Sequence, residues 1–171
     1  MEKRASPGQD LLVILALMQK RASGLHQFRI WMDVPMILTD ELCNRLCAAA
    51  KEKSRELGVD ISFAISDENG LPRAYRRYGE ALVLSITLVP GKAYTTAVTQ
   101  CKTKDVAAAA AEGAALMAIQ TNDPRITLVA CGYPLFANGK IAGGIGVGGG
   151  TEAQDCAIGE YVVSVFEKLT C

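Results

Sequence analysis

A glycine-rich stretch, GKIAGGIGVGGGTEAQD at residues 139–155, is the feature that most constrains what this chain can fold into. At strand period its residues divide into two faces, with Ile141, Gly143, Ile145 and Val147 on one side and Ala142, Gly144, Gly146 and Gly148 on the other. The second face carries almost no side chains. Interior glycine weakens a strand, so such a face is useful where another surface must come close. We expect it to be covered by a packed helix, a ligand or a neighbouring subunit.

The same stretch contains GIGVGG, which matches the dinucleotide fingerprint G-x-G-x-x-G. That fingerprint works when a second parallel strand follows the helix, whereas residues 151–171 supply one helix. The lysine of a phosphate-binding loop is missing as well. Thr151 and Gln154 form a capping box, and Glu152 and Asp155 place negative charge in the first helical turn. The pattern therefore disfavours a nucleotide phosphate at this loop.

Earlier in the chain the pattern predicts a helix followed by a hairpin. Thr39 can cap an amphipathic helix that ends at Gly58. VDISFAI (59–65) alternates as a half-buried strand, and the turn DENG (67–70) leads into the strand LPRAYRRY (71–78). Residues 81–98 are ambiguous because β-branched residues favour a strand and Pro90-Gly91 interrupts either element; we interpret them as mostly helical.

The second half of the chain predicts helix, strands and helix. The alanine-rich residues 104–120 have high helix propensity, and ITLVAC (126–131) has the pattern of a short buried strand. Asn138-Gly139 is a two-residue turn signal between YPLFA and KIAGGIGV, and a last helix begins at Thr151. Consecutive hairpins of this kind indicate an α/β protein of the α+β type, with helices against an antiparallel sheet.

Composition narrows the function classes. The 171 residues suit one domain, and 18 basic residues balance 18 acidic ones, so we expect neither nucleic acid nor a membrane surface as a partner. Six scattered cysteines without a C-x-x-C pair are typical of reduced thiols in a cytoplasmic protein. The single histidine, His26, is too few for a zinc site of the C₂H₂ or H-E-x-x-H kind.

Residues 1–36 form an N-terminal extension that we treat separately from a single domain at 37–171. Its apolar run LLVILALM (11–18) follows two basic residues, as in a signal peptide, but it is too short to span a bilayer and lacks a convincing cleavage site. The extension is interpreted as a translated leader, a docking helix or a disordered segment.

Three ordered motifs resemble the GlcG/HbpS family. They are LTDELCNRLCAAAKEKSRELGVDISFAISDENG at the opening helix and strand, GKAYTTAV in the middle, and the glycine-rich stretch. The resemblance covers residues 37–168 and is nearest to stand-alone versions of the C-terminal domain of PduO-type proteins. It implies a profilin-like α/β/α sandwich with a five-stranded antiparallel sheet, assembly into homo-oligomers, and in several members binding of haem.

Haem needs an axial ligand, apolar walls and cations for its propionates. The only histidine lies outside the resembling region. Cys43 and Cys47, four residues apart on one helix face, could bind a soft metal, although free cysteine is more often a small core residue. Candidate residues for an anionic ligand are Arg76, Arg77, Lys92 and Tyr94, together with the bare glycines Gly144, Gly146 and Gly148. Arg76 and Arg77 are expected to project to opposite faces of their strand.

Three functions stay open from the sequence. The first is a non-enzymatic oligomeric protein that binds haem or another small anionic ligand between subunits, as an accessory to cobalamin-dependent diol or glycerol utilisation in the cytoplasm or a bacterial microcompartment. The second is an enzyme acting on a small hydroxy acid or aldehyde, with Lys92 as the reactive amine; no set of catalytic residues is otherwise evident. The third is an interaction module that docks to a larger metabolic assembly.

Overall fold

The computed structural model describes residues 37–170, and the elements below belong to that range. In chain order they are α1 (Asp40–Glu56), β1 (Ser62–Asp67), β2 (Pro72–Arg77), α2 (Ser85–Thr99), α3 (Thr103–Ala109), α4 (Ile119–Asn122), β3 (Gly132–Ala137), β4 (Lys140–Gly148) and α5 (Glu152–Thr170). The calls on residues 1–36, including the leader, the docking helix and His26, lie outside the described residues.

The four strands form one antiparallel sheet in the order β2-β1-β4-β3. Both predicted hairpins are present. In the first, one carboxylate oxygen of Asp67 accepts the N–H groups of Asn69 and Leu71, each at 2.9 Å. In the second, Asn138 and Gly139 adopt φ of 51° and 74°, the left-handed pair that a two-residue turn requires.

One face of the sheet forms the main hydrophobic core with α1 and α5. Phe63 from β1 and Ile145 from β4 are fully buried there, with Leu46 from α1 and Phe166 from α5. The predicted caps hold both helices: Thr39 Oγ1 accepts the N–H of Leu42 at the start of α1, and Thr151 and Gln154 form their capping box at the start of α5. These two helices are therefore placed by sequence signals and by burial of one apolar face.

The bare face of β4 is covered by α2. A β-carbon on Gly144 would overlap the carbonyl oxygen of Ala93, and one on Gly146 would overlap the carbonyl oxygen of Val89. The helical interpretation of residues 81–98 is thus confirmed, and the helix is the element that needs the glycines. A ligand in direct contact with Gly144 or Gly146 is not compatible with this packing, which corrects the assignment of these two residues to a ligand site.

The predicted fifth strand at residues 126–131 is wrong, and the described sheet has four strands. This segment is instead irregular, with a bend at residues 129–130. The N–H of Thr127 donates to Thr95 Oγ1 at 2.8 Å, and the Gln120 amide donates to the carbonyl of Ile126 at 2.8 Å. Cys131 has a φ of 73°, outside the strand region, so extended backbone begins only at Gly132. The segment is held by side chains of α2 and α4 rather than by a strand partner.

The predicted long helix at residues 104–120 is also wrong. The range is helical only in α3, which buries Thr103 and Val106, and at its last two residues, where the short α4 begins. Beyond Ala110 the alanines offer no apolar stripe, Gly113 turns the chain at a φ of 75°, and Leu116 and Met117 are exposed. High propensity alone does not hold a helix together when no face of it packs on a core.

The expectation that all cysteines are reduced is wrong for one pair. Cys131, just before β3, is joined by a disulfide to Cys156 in α5. The two are 25 residues apart in sequence, so only the packing of α5 beside β3 brings them together. Cys43 and Cys47 are free and buried in α1, and Cys101 is free and exposed.

Candidate functional site

A groove of about 800 Å³, which we call the α2 groove, lies beside that helix. One wall is α2, and a second is formed by β2 with the turn before it. The third is formed by residues 120–129, which begin in α4 and continue as irregular chain. Its lining residues are Ala64, Ile65, Ser66, Gly70, Leu71, Pro72, Ala74, Tyr75, Leu84, Ile86, Thr87, Leu88, Pro90, Gly91, Tyr94, Gln120, Pro124, Arg125, Ile126, Thr127, Leu128 and Val129.

The walls of the α2 groove are mostly apolar and open to solvent. Leu84 and Ile86 at the start of α2 are 65% and 52% exposed, and Leu71 on the facing turn is 60% exposed. Large apolar side chains that line a concave surface mark a binding site more often than isolated exposed leucines do. A flat apolar ligand would remove these side chains from water.

A polar cluster of Tyr94, Asp123 and Arg125 lies at the α2 groove. Arg125 donates from Nε and Nη2 to the two carboxylate oxygens of Asp123 at 3.0 and 2.9 Å, and the hydroxyl of Tyr94 donates to Asp123 Oδ2 at 2.6 Å. The guanidinium also lies over the Tyr94 ring, 4.2 Å from its centroid. Arg125 is therefore held in place by a carboxylate and an aromatic face.

The cluster controls the charge states at the groove. The hydrogen bonds from Arg125 and Tyr94 lower the pKa of Asp123, so this carboxylate stays ionised. Partial burial and the hydrogen bond to Asp123 raise the pKa of Tyr94, so its phenol stays protonated. At neutral pH the groove thus presents a neutral phenol and a guanidinium paired with one carboxylate.

Tyr94 is positioned by the hairpin turn before β2. Gly70 in that turn has a φ of 78°, and a β-carbon there would lie 2.6 Å from Cδ2 of Tyr94. The turn glycine therefore provides both the left-handed backbone and the space for the ring. This links the DENG turn directly to the wall of the α2 groove.

A second cavity, of about 210 Å³, shares the exposed Leu84 with the α2 groove. We call it the Lys92 cavity. It is lined by Leu82, Leu84, Ser85, Leu88, Lys92, Val129, Ala130, Cys131, Gly148, Gly149, Gly150, Glu152 and Asp155. The side chain of Lys92 comes from α2, and Asp155 comes from the first turns of α5. The glycines 148–150 connect β4 to α5 between them.

Two of the three ionisable groups that line the Lys92 cavity are almost fully buried. Lys92 is 2% exposed and Asp155 is 6% exposed. Lys92 Nζ donates to the carbonyl oxygen of Val147 at 2.6 Å, and Asp155 Oδ1 accepts the N–H of Gly150 at 3.0 Å. The hydrogen bond to Val147 accounts for one of the donors on Lys92 Nζ.

Burial shifts both groups toward their neutral forms. It lowers the pKa of Lys92, against the opposing effects of Asp155 and Glu152. It raises the pKa of Asp155, against the hydrogen bond from the Gly150 N–H and the charge of Lys92. A less basic amine and a less acidic carboxyl in one cavity are the properties of a proton-transfer pair.

The candidate residues from the sequence are distributed over different places. Lys92 and Gly148 line the Lys92 cavity, and Tyr94 lines the α2 groove. Arg76 and Arg77 line neither: Arg76 donates to the carbonyl oxygen of Tyr75 at 3.0 Å, and Arg77 donates to that of Ala81 at 2.9 Å. The sequence candidates are thus divided between two cavities, and neither arginine lines either of them.

The two cysteines of α1 behave as core residues. Burial raises the pKa of Cys43 and raises that of Cys47 to about 11, which keeps both thiols protonated. Within residues 37–170 no group of three or more His, Cys, Asp or Glu side chains is arranged to hold a metal ion. The same range has no helix long and apolar enough to cross a membrane.

The lining of the α2 groove matches the porphyrin ring of haem but offers no evident ligand for the iron. Its apolar walls and Arg125 match a flat ring with carboxylate substituents. Among its lining residues there is no histidine, cysteine or methionine, and the hydroxyls of its two tyrosines, Tyr75 and Tyr94, already donate to Ser62 and Asp123. The lining therefore offers apolar faces and a guanidinium, and neither tyrosine hydroxyl is without a hydrogen-bond partner.

Sequence reasoning missed Asp123, Arg125 and Asp155 as site residues. The first two lie in T-N-D-P-R, a turn signal between two misassigned elements, where an Asp-x-Arg pair is the only hint of chemistry. Asp155 was interpreted as a helix-capping charge, which is consistent with its bond to Gly150, but its burial beside Lys92 depends on the tertiary fold.

The chain matches known proteins along most of its length. The family model described as "Haem degrading protein HbpS-like" matches residues 38–164. An uncharacterised 15.0 kDa protein from the dhaT-dhaS intergenic region of Citrobacter freundii is 32% identical over 133 residues, covering 77% of this chain and 94% of that protein. The corrinoid adenosyltransferase PduO of the same organism is 30% identical over 136 residues, covering 79% of this chain and 41% of PduO.

A solved structure agrees with these matches. The complex of the PduOC protein with heme superposes with a TM-score of 0.71 at 28% identity, covering 74% of this chain and 93% of that one. The chain spans less than half of the length of the PduO relative.

Proposed function

The chain belongs to the HbpS-like family, also known as GlcG/HbpS, and from that premise we propose that it binds a tetrapyrrole in the α2 groove. The observation that carries the proposal is the groove itself: about 800 Å³, walled by exposed leucine and isoleucine side chains, with a guanidinium at one side. The related PduOC protein is known in complex with heme, which supports the ligand class.

The residues that would hold the ring are Leu71 and Ile86 on facing walls, with Arg125 for a propionate. Arg125 already pairs with Asp123, so a propionate must share or displace that carboxylate. We therefore propose that binding depends mainly on burial of the ring faces, with a smaller contribution from charge. Bound haem would bring an iron centre for oxygen or electron chemistry, and the groove residues would exclude water from its faces.

The test is a titration of the full chain with hemin and with metal-free protoporphyrin IX. Binding is followed by the absorbance of both ligands and by the fluorescence of protoporphyrin IX itself. If the faces and acid groups dominate, the two ligands bind with dissociation constants within about tenfold of each other, a difference of about 1.4 kcal/mol. Binding of hemin alone, with no binding of the metal-free ring, would contradict the proposal and would indicate an iron ligand.

Charge variants at the polar cluster refine this test. Arg125→Gln should weaken porphyrin binding by about fivefold, and Asp123→Asn should strengthen it by a similar factor; both effects are modest because solvent screens an exposed pair. Arg77→Gln is the matched control, since Arg77 does not line the groove. An equal effect of Arg125→Gln and Arg77→Gln would show that only overall charge matters.

We further propose that the chain works as a homo-oligomer and as a cytoplasmic accessory, within or beside a microcompartment, to cobalamin-dependent diol or glycerol utilisation. The relation to PduO supports the metabolic setting, and the exposed apolar side chains of Leu82 and Val83, at 66% and 74%, support a contact between copies. Light scattering after size-exclusion chromatography tests the oligomer: Val83→Asp should reduce the mass, whereas Leu116→Asp, at an exposed site elsewhere, should not.

A further inference from the structure

The Lys92 cavity contains an arrangement that the groove proposal does not use. A buried amine from α2 and a buried carboxyl from α5 line the same small space, whose entrance is flanked by the exposed side chains of Leu82 and Leu84. Buried ionisable side chains are rare unless paired, and Lys92 and Asp155 do not form a direct ion pair within 4 Å. Lys92 and Asp155 are therefore two buried ionisable residues that line one cavity without a salt bridge between them.

We infer that the Lys92 cavity is a binding site for a small uncharged aldehyde, which Lys92 captures as a Schiff base with Asp155 transferring the protons. The inference rests on the cavity, on the position of Lys92 Nζ in it, and on the carboxyl of Asp155 in the same lining. It is independent of the tetrapyrrole proposal, because the groove and the cavity share leucine walls but none of their ionisable residues.

The geometry holds the amine ready for attack. Nζ of Lys92 donates one hydrogen bond to the carbonyl of Val147, which fixes the end of an otherwise flexible side chain. Gly148 lies beside it: a β-carbon at that position would be 3.7 Å from Nζ. Lys92 Nζ and Gly148 are therefore neighbours in the lining of the Lys92 cavity.

The chemistry balances with the residues present. The lone pair of the neutral Lys92 amine forms a C–N bond to the carbonyl carbon, while the carbonyl oxygen takes a proton from the carboxyl of Asp155. The carboxylate then removes a proton from the new ammonium, which gives a carbinolamine. Asp155 returns its proton to the hydroxyl as the C–O bond breaks, water leaves, and the iminium loses its proton back to Asp155. The products are an imine and one water, with Asp155 restored.

The lining also selects the ligand. Leu82, Leu88, Val129 and Ala130 form an apolar wall, which favours a short alkyl chain. The carboxylate of Glu152 also belongs to the lining, and a carbonyl compound with its own carboxylate would meet its negative charge. A volume of about 210 Å³ admits only a few carbon atoms. A neutral short-chain aldehyde meets all three conditions.

The experiment compares two three-carbon probes, propanal and pyruvate, on the full chain in the presence of cyanoborohydride near neutral pH. Peptide mapping by mass spectrometry then reports which lysines carry the reduced adduct. The inference predicts that propanal modifies Lys92 at least severalfold faster than the exposed Lys140, and that pyruvate does not. Labelling of Lys92 no faster than that of Lys140, or labelling of Lys92 by pyruvate as fast as by propanal, would overturn it.

Two variants separate proton transfer from a simple change in basicity. Both Asp155 and Glu152 raise the pKa of Lys92, so removing either charge can only increase the fraction of neutral amine. Asp155→Asn should nevertheless slow the labelling of Lys92 severalfold, because the proton donor is lost, whereas Glu152→Gln should leave it unchanged or make it faster. Equal or faster labelling in Asp155→Asn would overturn the role given to Asp155, and circular dichroism of each variant confirms that the compared proteins are folded.

Discussion

Lys92 Nζ donates a hydrogen bond to the carbonyl oxygen of Val147 across 2.6 Å, and both residues are buried. This bond ties α2 to β4 at the edge of the face that carries the glycines. The same helix covers Gly144 and Gly146, walls the α2 groove on its outer side, and contributes the amine of the Lys92 cavity. The position of α2 therefore determines how the glycine face of β4 is covered and where both candidate sites lie.

Substitution of the covered glycines should destabilise the protein in a position-dependent way. Gly146→Ala places a β-carbon against backbone atoms of Val89 and Ala93, whereas at Gly148 the nearest atom is a side-chain methyl of Val89 at 2.7 Å. Backbone cannot move aside as a methyl group can, so Gly146→Ala should cost about 3 kcal/mol of unfolding free energy and Gly148→Ala about 1 kcal/mol. Chemical denaturation measures both. Equal costs would mean that α2 is not closely packed on this face.

Stability should depend on pH through Asp155. Burial raises the folded pKa of this carboxyl above its pKa in the unfolded chain, so its contribution to stability is fully present below the unfolded pKa and is lost as pH rises through the folded pKa. Asp155→Asn keeps an oxygen that can accept the Gly150 N–H but does not ionise. The unfolding free energy of the variant relative to wild type should therefore rise from about pH 4 to about pH 7. A difference that stays constant, or falls, across this range would contradict the burial of the carboxyl.

The disulfide between Cys131 and Cys156 should contribute to stability. It closes a loop with a sequence separation of 25 residues, for which the chain-entropy model gives about 3 kcal/mol. Replacing both cysteines by serine should lower the unfolding free energy by that order, measured by denaturation without reductant. Cys101→Ser, at the exposed free cysteine, is the control and should have little effect. Alkylation of all six cysteines in the native-source protein without prior reduction would contradict the pairing.

We expect the alanine-rich segment to contribute to the core only up to the end of α3. Val106 is 2% exposed and Leu116 is 42% exposed. Val106→Ala should cost about 2 kcal/mol through lost burial and the cavity left behind, whereas Leu116→Ala should cost less than about 0.5 kcal/mol. The same denaturation assay checks the pair. A large effect of Leu116→Ala would indicate the long helix that the sequence pattern favours.

Elements with strong local signals could be predicted from the sequence. The cap at Thr39, the capping box at Thr151 and the Asn138-Gly139 turn each satisfy backbone groups with neighbouring residues, and each is present. The two faces of β4 also follow from alternation, because burial of Ile145 and Val147 fixes the register. The family resemblance, shown by the match over residues 38–164, added the likeness to haem-binding relatives.

The other elements depend on contacts that no local pattern records. The segment 126–131 has strand-forming residues, but Thr95 and Gln120 bind its backbone and leave it without a strand partner. Asp123 and Arg125 lie just before this segment, and they contact Tyr94 only because the chain passes beside α2 there. Lys92 was singled out by sequence, but its burial beside Asp155 comes from the packing of α2 and α5 around the glycine connection.

A crystal structure of the full chain with protoporphyrin IX tests the central claim most directly, since it shows where the ring lies. The account predicts the macrocycle in the α2 groove, between Leu71 and Ile86, with a propionate at the Arg125 guanidinium and α2 still covering Gly144 and Gly146. A saturated complex with the ring bound elsewhere and the groove unchanged would contradict it, as would displacement of α2 from the glycine face to admit the ring.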